Sequence, residues 1–174
     1  IPAIKSGRNL EKTLIDDSKE GWADSVLHLM TSLYDGQNIY FEYTNIRPEG
    51  ARLKIMGGRA SGPQPLIKLH DFIRETMHNA QGRKLTPIEA HDICNQIAEI
   101  VVVGGVRRSS QISLSDLGNK DMRHAKDWPY PIKRAMANNS AIYKEKPSAA
   151  EFLKEWGSLA LSGTGERGIF NLNA

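Results

Sequence analysis

The sequence predicts an α/β protein in which amphipathic helices alternate with short strands. Four segments carry apolar residues at helical spacing, and short segments between them are rich in β-branched or aromatic residues or alternate polar with apolar ones. Apolar residues make up 40% and charged residues 25% of the 174 residues, a composition that argues against intrinsic disorder, a coiled coil or a collagen-like chain. The chain is long enough to bury a hydrophobic core.

The first half of the sequence predicts a helix, a strand and a second helix. The first helix begins near Asp17, which has the spacing of a capping box with Glu20. Residues 39–43 are rich in aromatic and β-branched side chains and predict a strand. The second helix is predicted over residues 65–79. The apolar stripe of the first helix consists of Trp22, Val26, Leu29 and Leu33.

The second half predicts two further helices with two strands between them. Thr86 is the expected N-cap of the third helix, and Pro87 occupies its first position, where the missing N–H costs nothing. Strands are predicted at residues 111–115 and 138–143. The last helix opens at Ser148 with a Ser-x-x-Glu capping box. Its inner face is expected to consist of Phe152, Trp156 and Leu159.

Cysteine usage and the N-terminal sequence indicate the cellular setting. Cys94 is the only cysteine, so the chain forms no internal disulfide, which favours a reducing, cytoplasmic location. We expect Cys94, beside the apolar stripe of the third helix, to be a buried structural thiol. The N-terminus lacks the pattern of a secretory signal, and the longest apolar run is too short for a membrane span of about 20 residues. Because the chain starts at Ile1 without Met, we expect a fragment or a processed product.

A basic, Gly-rich loop is the first candidate binding segment. Residues 47–59 contain four cations and a single acid, Glu49, and the whole chain carries a net charge of +3. Cations in a Gly-rich loop suit a polyphosphate, because backbone N–H groups and side-chain charges converge on it. A solvated basic loop is the alternative. The four cations are Arg47, Arg52, Lys54 and Arg59.

A second candidate segment covers residues 104–110. Its glycines allow close backbone approach, its guanidinium groups suit phosphates or base edges, and its hydroxyls add donors. An exposed turn with solvated arginines is the alternative. Its members are Gly104, Gly105, Val106, Arg107, Arg108, Ser109 and Ser110.

The start of the first helix, at Asp17 and Ser18, is a third candidate. These residues can simply cap the helix, or they can place a carboxylate on a ribose hydroxyl beside N–H groups that face an anion. The five histidines show no metal-like grouping. The residues alone thus indicate an α/β nucleotide binder, and a stand-alone nucleotide- or nucleic-acid-binding module remains an open alternative.

Six motifs in collinear order resemble the catalytic chain of ribonucleotide reductases. The sequences of these motifs are most similar to those of the adenosylcobalamin-dependent, class II branch, particularly its triphosphate reductases. The motifs are residues 17–22 (DSKEGW), 46–50 (IRPEG), 57–63 (GGRASGP), 103–109 (VGGVRRS), 138–140 (NNS) and 165–171 (GERGIFN).

The resemblance implies a fold and a reaction. The family fold is a ten-stranded α/β barrel, of which residues 1–174 would be one central segment, with the effector helix and loops at 14–64 and the second specificity loop and barrel strands at 104–174. The family reduces ribonucleotides to deoxyribonucleotides for DNA replication by thiyl-radical chemistry. The resemblance implies adenosylcobalamin as the cofactor of the full-length enzyme, and a thioredoxin-like reductant and the remainder of the catalytic chain as its partners. It implies no association with a membrane.

The resemblance also implies roles for individual residues. Asp17 and Ser18 match the helix start that holds the deoxyribose of a deoxynucleoside triphosphate effector, and Arg47 and Lys54 match positions that meet its phosphates. Residues 104–112 match the second specificity loop, between effector base and substrate base, in which Arg108 would report one nucleotide to the other.

The catalytic residues of the family are not matched in this chain. The family places its radical cysteine, an Asn and a Glu in an Asn-Pro-Cys-x-Glu segment, with one reducing cysteine further upstream. Neither segment occurs here, and Cys94 matches neither. The chain is therefore expected to be inactive on its own.

Overall fold

Two units are defined by the contacts within the chain: Ile1–Glu89 with Ile100–Arg108, and Ala90–Glu99 with Ser109–Ala174. The computed structural model describes residues 1–5, 12–53, 58–103, 109–163 and 165–173. In chain order its elements are β1 (Lys12–Leu14), α1 (Lys19–Tyr34), β2 (Tyr40–Glu42), α2 (Gln64–Asn79), α3 (Pro87–Val103), β3 (Gln111–Asp116), α4 (Lys120–Arg123), a 3-10 turn (Ile132–Met136), β4 (Ala137–Tyr143), α5 (Ala149–Ser162) and β5 (Gly168–Asn171).

The first unit is a parallel strand pair with a helical core. β1 pairs with β2 in parallel, from Lys12 opposite Tyr40 to Leu14 opposite Glu42, and α1 is the connection that parallel strands require. α1 packs on α2. The two predicted helices and the strand predicted at 39–43 are present as α1, α2 and β2 and are confirmed. The fully buried apolar side chains of this unit include Leu29, Leu33, Leu66, Leu69, Ile73 and Met77.

A buried histidine links α1, α2 and the end of β2. The Tyr43 hydroxyl lies 2.7 Å from His70 Nδ1, and Ser25 Oγ lies 3.1 Å from His70 Nε2. Because Ser25 Oγ already donates to the Trp22 carbonyl oxygen at 2.7 Å, it accepts from Nε2–H, and the Tyr43 hydroxyl donates to Nδ1. Burial, together with the charge of Arg74, lowers the pKa of His70 from 6.5 to about 3. His70 is therefore a neutral, structural residue at physiological pH.

The second unit is a parallel sheet in the order β3-β4-β5. β3 and β4 pair from Gln111 opposite Ala137 to Asp116 opposite Ile142, and β5 pairs with β4 from Gly168 opposite Ser140. The strands predicted at 111–115 and 138–143 are confirmed, as is the α/β class. One face of the sheet is covered, whereas Ile112 and Leu114 remain exposed on the other. The covered residues of β4 are Ala137, Asn139, Ala141 and Tyr143.

The predicted inner face of α5 is wrong at two of its three residues, and the third, Leu159, is half-buried. Phe152 and Trp156 are exposed and stack on each other at a centroid distance of 6.2 Å, whereas Glu155 is only 2% exposed. Arg167 Nε donates to Glu155 Oε1 at 2.7 Å, and Arg123 pairs with the other carboxylate oxygen. Although burial raises the pKa of Glu155, its hydrogen bond to Arg167 and the two arginine charges hold that pKa below its usual value. The buried ion pairs, which apolar periodicity cannot reveal, set the face of this helix.

α3 begins as predicted but does not bury its cysteine. The Thr86 N–H donates to Glu89 Oε2 at 2.8 Å and the Glu89 N–H to Thr86 Oγ1 at 3.3 Å, a complete capping box. The prediction that Cys94 is buried is wrong, because its side chain is exposed. The buried positions of α3 are instead partly polar, with His91 and Asn95 among them. Among the described residues, no helix is long and apolar enough to cross a bilayer.

The His70 contacts predict that acid destabilises the chain. The unfolded state takes up a proton below pH 6.5 and the folded state does so only near pH 3, so stability falls as the pH drops through this window. Denaturant unfolding should show a loss of about 2 kcal/mol between pH 7 and pH 5 from this residue. His70→Phe should be less stable at pH 7 but lack this component. An unchanged pH slope in His70→Phe would assign the effect to other groups.

Candidate functional site

The candidate site is built on the N-terminus of α1. Ser18 is the N-cap in extended conformation, and its hydroxyl oxygen accepts the Gly21 N–H at 2.9 Å. The predicted capping box of Asp17 and Glu20 is therefore wrong by one residue: Ser18 caps the helix. Gly21 is required at this place, because a Cβ there would lie 2.6 Å from the Asp16 carbonyl oxygen. Capping by Ser18 leaves the Asp17 carboxylate available for another partner.

That partner is Arg47, which comes 30 residues later in the chain. Arg47 Nε donates to Asp17 Oδ2 at 2.5 Å, and Nη2 approaches the Asp17 carbonyl oxygen at 3.4 Å. The two side chains remain 37% and 30% exposed, so the pair is half-buried and open to a ligand. Two of the five N–H donors of the guanidinium group are engaged in these contacts. The structure thus brings together Asp17, Ser18 and Arg47, three of the predicted site residues.

The basic loop that follows Arg47 folds back on itself. The Gly50 N–H donates to the Ala60 carbonyl oxygen at 2.9 Å, and the Ala60 N–H donates to the Ala51 carbonyl oxygen at 2.8 Å. Arg59 Nη1 donates to the Gly50 carbonyl oxygen at 2.9 Å. Arg52 is exposed on the same loop. Lys54, the fourth predicted effector residue, lies outside the described residues.

The segment predicted to be the second specificity loop is described only at its end. The predicted residues 104–108, including Arg108, lie outside the described residues. Ser109 is half-buried and Ser110 exposed, and they lead directly into β3. Gln111, the first residue of β3, donates from Nε2 to Asn95 Oδ1 at 2.6 Å. The sequence did not indicate a role for Asn95. Its only sequence feature is an amide four residues after His91 on the same helix, which does not reveal that Asn95 is buried.

No metal centre is formed by the part of the chain that the structure describes. Within those residues no three His, Cys, Asp or Glu side chains group in a way that could hold a metal ion. The chemistry available at the start of α1 is instead that of hydrogen bonding and charge. A carboxylate, a guanidinium group and the positive end of a 16-residue helix meet there.

Comparison with known proteins points to one family. A family model described as the insertion domain of B12-dependent ribonucleotide reductase matches residues 6–77, a range that includes Asp17, Ser18 and Arg47. The chain is 34% identical over 170 residues to an adenosylcobalamin-dependent ribonucleoside-triphosphate reductase of Lactobacillus helveticus, covering 91% of this chain and 22% of the relative. The Euglena gracilis enzyme of that name is 32% identical over 147 residues, covering 82% and 20%.

A solved structure agrees with the sequence matches. The crystal structure of a B12-dependent, class II ribonucleotide reductase superposes with a TM-score of 0.64 at 29% identity, covering 81% of this chain and 20% of that one. The resemblance to ribonucleotide reductases is thereby confirmed. Within them, the chain is similar to the adenosylcobalamin-dependent ribonucleoside-triphosphate reductases, and it spans about a fifth of the length of the relatives it matches.

The cap geometry predicts a measurable role for Ser18 in stability. Ser18→Ala removes the acceptor of the Gly21 N–H and should lower the free energy of unfolding by about 1 kcal/mol. Ser18→Asp retains a capping oxygen and should keep most of that stability. Urea unfolding of both variants checks this, and an Ala variant as stable as the parent would show that the cap contributes nothing.

Proposed function

We propose that this chain is the effector-reading part of an adenosylcobalamin-dependent ribonucleotide reductase, which reduces ribonucleoside triphosphates to deoxyribonucleotides by thiyl-radical chemistry. The observation that carries the proposal is the contact between Arg47 and Asp17 beside the Ser18 cap. It lies inside the segment that matches the reductase family model.

The mixed charge of this site favours a nucleotide over a simple anion. Arg47 and the helix N-terminus attract phosphate, whereas the Asp17 carboxylate repels it. A ligand that carries both a hydroxyl and phosphates satisfies both groups, because the carboxylate accepts from the hydroxyl while the guanidinium group donates to phosphate. A deoxynucleoside triphosphate effector is such a ligand, with its deoxyribose at Asp17 and Ser18 and its phosphates at Arg47 and Lys54.

The second specificity loop, residues 104–112, is assigned to communication with the substrate. In this proposal Arg108 lies between the effector base and the substrate base, and a ribonucleotide occupies the centre of a ten-stranded α/β barrel. The parallel sheet β3-β4-β5 supports the barrel in this proposal. Parallel sheets are normally covered on both faces, and the apolar residues Ile112 and Leu114 are exposed on the uncovered face of this one. The remainder of the catalytic chain would supply the other strands.

The residues described here do not fit the cofactor. Radical generation requires a thiol beside adenosylcobalamin, and the one cysteine, Cys94, is exposed on α3. We therefore assign adenosylcobalamin, the catalytic cysteines and the contact with a thioredoxin-like reductant to other parts of a longer, cytoplasmic enzyme. No chemical step is assigned to this chain.

The proposed division of labour predicts different effects for two arginines in the full-length enzyme. Arg47→Ala removes a charge-assisted phosphate contact of about 1.5–3 kcal/mol, so affinity for every deoxynucleoside triphosphate effector should fall by roughly 10–100-fold. Arg108→Ala should leave effector affinity unchanged and abolish the effector's influence on substrate choice, because that influence is a coupling free energy between two sites. Effector binding and relative rates on competing ribonucleotides, at fixed salt, measure both.

Lys146→Ala is the matched control for these variants, since Lys146 is an exposed cation of the second unit. Its effector affinity and substrate choice should equal those of the parent. An Arg108→Ala enzyme whose substrate choice still follows the effector would contradict the role of residues 104–112. Unchanged effector affinity in Arg47→Ala would contradict the effector site itself and favour a solvated basic loop.

The 174-residue chain alone should form no deoxynucleotide. Reduction of the ribose by this chemistry draws two electrons from a cysteine pair, and Cys94 is the only thiol. Incubation with a ribonucleoside triphosphate, adenosylcobalamin and a dithiol, followed by product analysis, checks this, with the full-length enzyme as positive control. Turnover by the chain that disappears in Cys94→Ser would overturn the assignment of the catalytic cysteines to other segments.

A further inference from the structure

A continuous chain of polar side chains crosses the interior of the second unit. Gln111 Nε2 donates to Asn95 Oδ1 at 2.6 Å, and Asn95 Nδ2 lies 3.0 Å from His91 Nδ1. His91 Nε2 in turn lies 3.2 Å from Asn139 Oδ1. His91, Asn95 and Asn139 are 6%, 0% and 2% exposed. The polar chain, as we call these four residues, thus runs from the start of β3 through α3 to β4.

The donors and acceptors of the polar chain form one consistent pattern. Asn95 Oδ1 is the acceptor for Gln111, so the Asn95 amide nitrogen faces His91 and donates to Nδ1. His91 Nε2 lies 3.2 Å from Asn139 Oδ1, and His91 Nδ1 also lies 3.5 Å from Asp92 Oδ1, so side chains of α3 and β4 surround the imidazole. The link to Gln111 therefore fixes which way the Asn95 amide faces, and turning that buried amide over would break it.

The polar chain continues from Asn139 to Glu166, which belongs to the motif at residues 165–171. The Asn139 N–H donates to Glu166 Oε2 at 2.9 Å, one residue before β5 begins to pair with β4 at Ser140. Glu166 Oε1 accepts from Lys126 Nζ at 2.5 Å, and Lys126 also donates to the Ala137 carbonyl oxygen at 2.8 Å. The Glu166 carboxylate thus takes the backbone donor that lies just beyond the β5 ladder. β4 is therefore held by His91 at the Asn139 side chain and by Glu166 and Lys126 at its backbone.

Stability alone does not account for a buried amide–imidazole series. Replacing both partners of a buried hydrogen bond by apolar groups of similar shape can be nearly neutral, so packing of α3 does not by itself require polar side chains here. What the polar chain adds is a side-chain link: the Gln111 backbone is already paired opposite Ala137 of β4, and the polar chain ties its side chain to α3 as well. Gln111 is also the residue at which the proposed second specificity loop joins the sheet.

We propose that Asn95 and Gln111, acting through His91 and Asn139, are positioning residues for substrate selection: they tie the side chain of Gln111, at the exit of the 104–112 loop, to α3 and β4. The inference rests on the proposed function. Loss of the polar chain removes the contact that ties the Gln111 side chain to α3, so that effector binding selects among substrate bases less strongly.

The test uses the full-length enzyme with two variants and one matched control. Asn95→Leu removes the buried central link, and Gln111→Met removes the half-buried terminal link while keeping side-chain length. Gln96→Leu is the control, because Gln96 is the next residue of α3 and pairs with Glu99 on the same helix instead. For each enzyme the readouts are effector affinity and the ratio of kcat/KM values on two competing ribonucleotides, with and without effector.

In both variants the factor by which the effector changes that ratio should be about tenfold smaller than in the parent, a decrease within the usual range of coupling between sites. Effector affinity should stay within about threefold of the parent. The double variant should lose no more than the worse single one, because both substitutions break the same series. Gln96→Leu should behave as the parent does.

The outcomes separate this inference from the function on which it rests. If Asn95→Leu and Gln111→Met both select substrates as the control does, the polar chain only packs the core and the inference is overturned. Should Asn95→Leu fail to fold, Gln111→Met decides alone. If the parent itself shows no effector-dependent substrate choice, the proposed function fails, and the inference fails with it.

Discussion

Parallel strand pairing is the constraint on which both units depend. β1 pairs with β2, and β4 with β3 and β5, always in parallel. Strands that run in the same direction cannot be joined by a tight turn, so a longer crossover segment must carry the chain back between them. In this chain α1 follows β1 and α5 follows β4. Helix N-termini, with their unpaired N–H groups, therefore follow the carboxyl ends of strands, which is where open α/β sheets bind ligands.

The same constraint explains why the candidate site needs two distant segments. The start of α1 supplies a cap, Ser18, and a carboxylate, Asp17, but a helix terminus alone has little specificity. Arg47 arrives from beyond β2, after the chain has completed one strand–helix–strand passage. The order of the elements thus brings the two segments of the candidate site together, because the passage returns a loop to the place where the helix began.

Local chemistry was predictable from the sequence, and distant pairing was not. The caps at Thr86 and Ser148 involve residues three apart, so their patterns identified both helix starts. The face of α5 depends on an arginine twelve residues after Glu155, and apolar periodicity gave no indication of it. At the candidate site, residue types and motif order singled out Asp17 and Arg47, but their contact joins positions 30 apart and required the fold.

The carboxylate of Glu155 also limits how this region can change over evolutionary time. Removing it alone would leave Arg167, only 4% exposed, as a buried charge without its main partner, whereas replacing the whole group by apolar residues can be neutral. Glu155 and Arg167 are therefore expected to change together, because loss of either one leaves the other buried without its charge partner at 2.7 Å. Divergence at these two positions is expected to be concerted or absent, even where the exposed residues of the same helix drift freely.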